Sequence, residues 1–328
     1  MSERQFSINL GADPNIQKFK KVLVVGLGQI GLPVAKYIQD RGFETCGFDV
    51  NPDAIAIATS YGIKEAQNFS DIDVFVICIS THRQDDIHSP DVRGILDIAR
   101  KISNQAKNNA LVSIESTIPK GTSRRIFEMM NHRLHVVHVT HRWYALEDDI
   151  HGVNQMRVIG GVSKCCLTLG LEFYGIKNHG LIRSCACNDQ VANSSDKSSV
   201  HKSLSIPLHL VSEIEIAELA KIVENSFRYV QIAFAEDLNM YCRKNNISFD
   251  ELRKAVNTKW NVSLPEARSG IGGHCLPKDA KMFIQDSKTT NNKIVTAAME
   301  VDADYRRYRE AQNPIFPIKT TTSPAMDC

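Results

Sequence analysis

No apolar run in this chain approaches the length of a bilayer span, so a membrane-crossing helix is not expected. The opening stretch, MSERQFSINLGADPN, has no apolar core, which argues against a secretory signal. An excess of one charge is missing too. The formal net charge is +2 and no basic patch stands out, so neither nucleic acid nor an anionic membrane surface is an expected partner. A secreted disulfide framework is not expected of the nine cysteines: their number is odd, and some, such as Cys78 in VFVICIS, sit in apolar runs. Reduced thiols and a cytoplasmic location fit better. Zinc-type spacing is absent, since Cys185-Ala186-Cys187 has no partner pair. His135, His138 and His141 recur every third residue, and strand residues at that period alternate between faces. No metal site is expected, and no internal repeat is found.

With 328 residues, the chain has room for two domains of ordinary size. After a polar lead-in (1–20), short apolar runs alternate with helical stretches. KVLVVG, FETCGFDV, DVFVICIS, ALVSIEST, LHVVHVT and MRVIGG read as six strands, with helical segments such as PVAKYIQDRG and GILDIARKISNQ between them. This alternation predicts an α/β fold with a doubly wound parallel sheet of Rossmann type over 21–183. Residues 184–206 are polar and serine-rich, which predicts a loop. Residues 207–311 read as an all-helical central domain. It opens on a long run without Pro or Gly in which Ile216, Leu219, Ala220, Val223, Phe227, Val230 and Phe234 recur at helical spacing, a stripe expected to be buried in the chain or in a dimer. Ser248 and Glu251 stand in capping-box positions of the next helix. The tail, 312–328, has no periodicity.

Gly26-Leu27-Gly28-Gln29-Ile30-Gly31 is a GxGxxG fingerprint that follows an apolar strand and opens a helix. Its glycines would make the tight turn, admit a pyrophosphate to the backbone and let helix and strand pack closely. The phosphates would then lie at a helix N-terminus. Asp49 ends the second strand, where an acid bonds a ribose 2′-hydroxyl and repels a 2′-phosphate, so NAD is expected rather than NADP. Ser80, Thr81, Ser116 and Thr117, at the ends of the third and fourth strands, are expected cofactor contacts as well.

Cys275 lies in Gly272-Gly273-His274-Cys275-Leu276-Pro277-Lys278-Asp279. Small residues before it leave room for a ligand near the backbone, and Pro277 suits the first position of a helix. A cysteine at a helix N-terminus is a candidate nucleophile, as against a buried cysteine in a turn. Lys221 and Asn225 are four apart on the long helix and share a face, where they can stabilise an oxyanion or simply meet solvent.

Five blocks in order, VVGLGQIGLPVA, SIESTIPKGTS, RVIGG, AELAKIVENSFRYVQIAFAEDL and GIGGHCLPKD, resemble the UDP-glucose/GDP-mannose (nucleotide-sugar) 6-dehydrogenases from about residue 21 to about 310. The resemblance implies oxidation of a sugar primary alcohol to a carboxylate with two NAD, often to supply uronic acids for polysaccharides. It implies that Cys275 carries a thiohemiacetal and then a thioester, that Lys221 and Asn225 stabilise the oxyanion, and that Asp279 and Thr117 position water or tune Lys221. Gly272, Gly273 and His274 would lie against the substrate. The family packs its long helix against a twin, which implies a homodimer.

The chain departs from the family at two places. Thr140-His141-Arg142-Trp143 stands where the family has Ser-Pro-Glu, so Arg142 replaces a glutamate that handles the hydrolytic water. A permanent cation removes a general base and reverses the local field. Glu147, Asp148 and Asp149 are the nearby acids, and Arg142 is expected to meet an anionic substrate group. The family's C-terminal sugar-nucleotide domain is also expected to be lacking, which leaves open a two-electron alcohol or 3-hydroxyacid dehydrogenase on a smaller substrate, or an NAD-binding subunit without turnover.

Overall fold

The computed structural model describes residues 19–83, 85–143, 152–175, 202–286 and 292–312. The lead-in up to residue 18, most of the polar loop, the tail from 313, and Glu147, Asp148 and Asp149 lie outside these.

The apolar runs form β1 (Lys21–Val25), β2 (Glu44–Phe48), β4 (Val74–Ile77), β5 (Leu111–Ile114) and β6 (His135–His138). With β3 (Lys64–Glu65), β7 (Arg157–Gly161) and β8 (Leu208–Leu210) they make one sheet in the order β3-β2-β1-β4-β5-β6-β7-β8. Val22, Val24, Val74 and Val76 feed one core and Leu23, Val25, Phe75 and Ile77 the other, as the two-residue period of a strand requires. Both faces are buried, which is why these strands read as continuous apolar runs. The helices α1 (Gly31–Asp40), α2 (Pro52–Ser60), α3 (Arg93–Gln105), α4 (Thr122–Met129) and α5 (Lys164–Tyr174) accompany them.

The register aligns the carboxyl ends. Val25 pairs with Phe48 and with Ile77, Ile77 with Ile114, and Ile114 with His138. The residues that follow, from Gly26 and Asp49 to Thr117 and His141, therefore leave the sheet along one edge. The order reverses about β1, and such a switch point opens a crevice there.

The sheet is mixed where a parallel one was expected. β7 runs antiparallel to β6. The sequence offers no helical stretch between LHVVHVT and MRVIGG, and a parallel pairing needs a crossover of that kind. β8, placed by sequence in the helical half, adds a parallel edge strand to β7.

The second half comprises α6 (Ile214–Lys244), α7 (Phe249–Val256), α8 (Cys275–Asp286) and α9 (Lys293–Gln312). Ser248 caps α7 by accepting from the Glu251 backbone N–H at 3.3 Å. α6 docks on the sheet at Gly160, where a Cβ would lie 2.8 Å from the Cα of Ile214. Farther along, Tyr229 and Ala233 of α6 pack with Ile271, Leu276, Ala280, Val295 and Ala298 in a separate core. Of the stripe expected to be buried in the chain or in a dimer, Ile216, Val223, Phe227 and Phe234 are exposed in the single chain, while Ala217, Ile222, Asn225, Tyr229 and Glu236 face the protein. That inner face is built of small and polar residues, so the spacing of large apolar residues does not pick it out.

Candidate active site

The glycine loop has the shape of a phosphate cradle. Gly26 adopts φ +87°, and a Cβ there would lie 2.7 Å from the carbonyl oxygen of Cys78. A Cβ on Gly31 would lie 1.7 Å from the Gly26 oxygen, so helix and turn touch. A Cβ on Gly28, by contrast, would meet nothing within 4 Å. This open position is the one a pyrophosphate approaches. Asp49 fixes the turn: one carboxylate oxygen accepts from the Leu27 N–H at 2.6 Å and the other from the Asn51 N–H at 2.8 Å. Each oxygen keeps a lone pair for a ribose hydroxyl. The residues present thus fit a dinucleotide.

From this loop a cavity of about 740 Å³ runs between the sheet edge and the helical half. Gly26, Gly28, Gln29, Ile30 and Asp49 line its first end. Ser80, Thr81, Ser116 and Thr117 line its middle. At the far end stand Lys221, Asn225, His274, Cys275 and Asp279. Gly31 lies beneath the loop, and Gly272, Gly273 and Arg142 are not among the lining residues.

The far end is organised by α8, which begins at Cys275, two residues earlier than Pro277 would suggest. The Cys275 Sγ lies 3.5 Å from the His274 Nε2. One turn on, buried Asp279 accepts from the Asn225 amide at 2.6 Å and pairs with the Lys278 ammonium at 2.7 Å. Lys278 also donates to the Thr81 hydroxyl at 3.1 Å, which in turn donates to the Thr117 carbonyl at 2.8 Å. This chain ties the helical half to two strand ends. His88 adds a bond of 3.2 Å to the Gly273 carbonyl. Lys278 was visible in the PKD motif but carried no sequence-based role; only the fold shows that its head group is buried.

Burial in the cavity wall lowers the pKa of Lys221, and the cations of Arg142 and Arg228 act the same way against Asp279 and Glu224. An amine so held loses its proton more readily than a surface lysine. Arg142 is engaged elsewhere: its Nε donates to Glu224 at 3.2 Å, its Nη2 pairs with the same carboxylate, and its Nη1 donates to the Met156 carbonyl at 3.2 Å. Burial also lowers the pKa of His82 and of His274, whose rings lie 5.3 Å apart.

Behind the cavity middle lies a buried cluster that sequence reasoning missed. Glu115 pairs with Arg157 at 2.9 Å, accepts from Tyr174 and contacts the His141 Nε2. These attractions overcome burial and hold its pKa down at about 2. The ligand atoms of Cys78, Glu115 and His141 lie within 4.8 Å of one another. The guanidinium of Arg157 already supplies the cation there, and we assign no metal.

Residues 59–175 match the NAD binding domain of the UDP-glucose/GDP-mannose dehydrogenase family, and residues 215–304 match its central domain. The chain is 26% identical to the UDP-N-acetyl-D-mannosamine dehydrogenase of Methanococcus maripaludis, over 88% of this chain and 66% of that protein. It is 26% identical to the enzyme of that name from Escherichia coli, over 94% of this chain and 73% of the relative. The fold matches a UDP-D-ManNAc dehydrogenase structure from Pyrococcus horikoshii with a TM-score of 0.70 at 22% identity, covering 88% and 69% of the two chains. The chain thus spans about two thirds of the length of the relatives it matches. The two domain matches together take in more than half of it, and it belongs to this family, whose cofactor is NAD.

Proposed function

We propose that this member of the UDP-glucose/GDP-mannose dehydrogenase family oxidises the primary alcohol of a sugar nucleotide, with Cys275 as the covalent residue. The observation that carries the reading is one cavity holding Cys275, Lys221, Asn225 and Asp279 together with the glycine loop and Asp49. The names of the relatives point to an N-acetylated UDP-sugar as the first substrate to try.

NAD, held by the glycine loop and Asp49, supplies the hydride acceptor. Cys275 holds the aldehyde carbon as a thiohemiacetal and, at the acid oxidation level, as a thioester, so the aldehyde does not escape between steps. Lys221 faces the developing oxyanion. Asn225 spends one amide N–H on Asp279 and keeps the other for the same oxygen. Asp279 is thereby a positioning residue, tied at once to Asn225 and Lys278. Among the described residues no helix is long and apolar enough to cross a membrane. A cytoplasmic enzyme, a homodimer through the outward stripe of α6 and a role in polysaccharide precursor supply complete the proposal.

One observation favours a second reading. Arg142 is tied to Glu224 where the resemblance calls for a glutamate near water. Without the water step the protein performs a two-electron oxidation. NADH release with UDP-N-acetylmannosamine, UDP-glucose and GDP-mannose, under thiol reductant, separates the two. Two NADH per sugar, abolished in Cys275→Ala, is expected. One NADH supports the second reading, and none across the panel points to a subunit that binds NAD without turnover.

A further inference from the structure

His135, His138 and His141 share one segment, and a strand turns neighbours of that period to opposite faces. The fold gives His135 other company. We propose that His135, Cys165 and Cys166 form a binding site for a zinc-class cation. None of the three lines the cavity, and the inference stands apart from the reaction proposed above.

The local fold brings the three together. His135 opens β6. β7 returns antiparallel beside it, and just past its end the Val162 N–H donates to the Val136 carbonyl at 3.1 Å. The chain then turns at Ser163 and enters α5. Ser163 caps that helix by accepting from the Cys166 N–H at 3.3 Å. The turn sets the first residues of α5 against the start of β6. A ring nitrogen of His135 and the sulfurs of Cys165 and Cys166 lie within 4.8 Å of one another. The Ser163 hydroxyl lies 3.0 Å from the Cys165 sulfur and 3.1 Å from the Cys166 sulfur. Both thiols are free. Cys166 is buried, His135 half-buried and Cys165 exposed, so a cation enters from the Cys165 side.

The donor set selects the ion. Two sulfurs and an imidazole suit zinc, and with no carboxylate among them they do not suit magnesium or calcium. Bonds of about 2.3 Å to sulfur and about 2.0 Å to nitrogen put the ligands of a tetrahedral zinc ion about 3.5–3.8 Å apart. Donors already within 4.8 Å of one another close on it by about 1 Å, through side-chain rotation at exposed Cys165. Binding displaces the two thiol protons to solvent, and two thiolates balance the charge of the dication. The fourth position falls to the Ser163 hydroxyl or to water. The ion would join the start of β6 to the first turn of α5, whose last residue, Tyr174, holds Glu115 behind the cavity.

The test uses the full chain, reduced with a phosphine and stripped of metal. Zinc chloride is added, and alkylation by N-ethylmaleimide is followed at each cysteine by peptide mass. Zinc should abolish alkylation of Cys165 in wild type, and magnesium chloride should leave it unchanged. His135→Gln should weaken zinc binding, read by calorimetry, by at least about 10–100-fold. Cobalt in place of zinc should give a thiolate charge-transfer band that Cys165→Ala loses. Alkylation of Cys165 at one rate with and without zinc overturns the proposal, and that readout needs no variant. Zinc held as tightly by Cys165→Ala as by wild type overturns it too, since the metal then sits elsewhere.

Discussion

His138 lies on β6, completely buried, and neither ring nitrogen has a partner among the described residues. Burial presses its pKa down to about 3. An unfolded histidine titrates near 6.5, so between pH 6.5 and 3 the unfolded chain binds the extra proton and stability falls with pH. Glu115 acts in a lower window: its carboxyl is depressed from 4.5 to about 2, and its contribution fades only as pH drops through that range. His138→Leu should therefore flatten the fall of the urea midpoint between pH 6.5 and 4.5, though not abolish it, because His141 is shifted the same way. It should also gain about 1–3 kcal/mol at pH 7 by removing two orphaned polar atoms. An unchanged acid slope would rule His138 out as its source. The glycine loop allows a paired test. Gly31→Ala should destabilise by about 1–3 kcal/mol or more, since its Cβ has only 1.7 Å to the Gly26 oxygen. Gly28→Ala should unfold like wild type but bind NAD about 10-fold or more weakly by calorimetry; normal affinity would mean the pyrophosphate lies elsewhere. These glycines were legible because their chemistry is local and spaced. The Glu115, His141, Arg157 and Tyr174 cluster was not, because its other members lie 26 to 59 residues from Glu115 and only the packing of the strands with α5 unites them.

Among the elements, α6 decides most. Its inner face positions Lys221 and Asn225, and its outer face leaves Phe227 and Phe234 each 61% exposed. Apolar residues recurring along one exposed helix face mark an interaction surface. A two-fold pairing of α6 with itself would cover it. Phe227→Asp with Phe234→Asp should then shift the protein from dimer to monomer in sedimentation, with unfolding of the monomer unaltered; a wild type already monomeric at micromolar concentration sinks the idea. The strands at the core of the sheet were legible as apolar runs, and the long helices by length and caps. Direction was not, so β7 was expected parallel and is antiparallel. α5 was missed for a related reason: KCCLTLGLEFY is apolar at so many positions that no period stands out. β8 has only three residues, too few to alternate.

For the molecule as a whole, the cavity is a junction. Sequence motifs placed its two ends, the glycine loop and the cysteine loop, more than 240 residues apart, but not the Lys278 bridge between them. A ligand that spans the junction binds only the folded state, so it should stabilise the entire chain. NAD at 100 times its Kd should add about 2.7 kcal/mol, seen as a rise in Tm. NADP should add far less. Asp49 already gives one oxygen to Leu27 and one to Asn51, and a 2′-phosphate brought beside that carboxylate would set like charges together. Asp49→Ser removes the repulsion and also loosens the turn at Leu27, so the variant should lose part of the shift with NAD while gaining with NADP. Equal shifts with both dinucleotides in wild type would mean that Asp49 serves the turn alone, and that discrimination, if any, resides in another wall of the cavity.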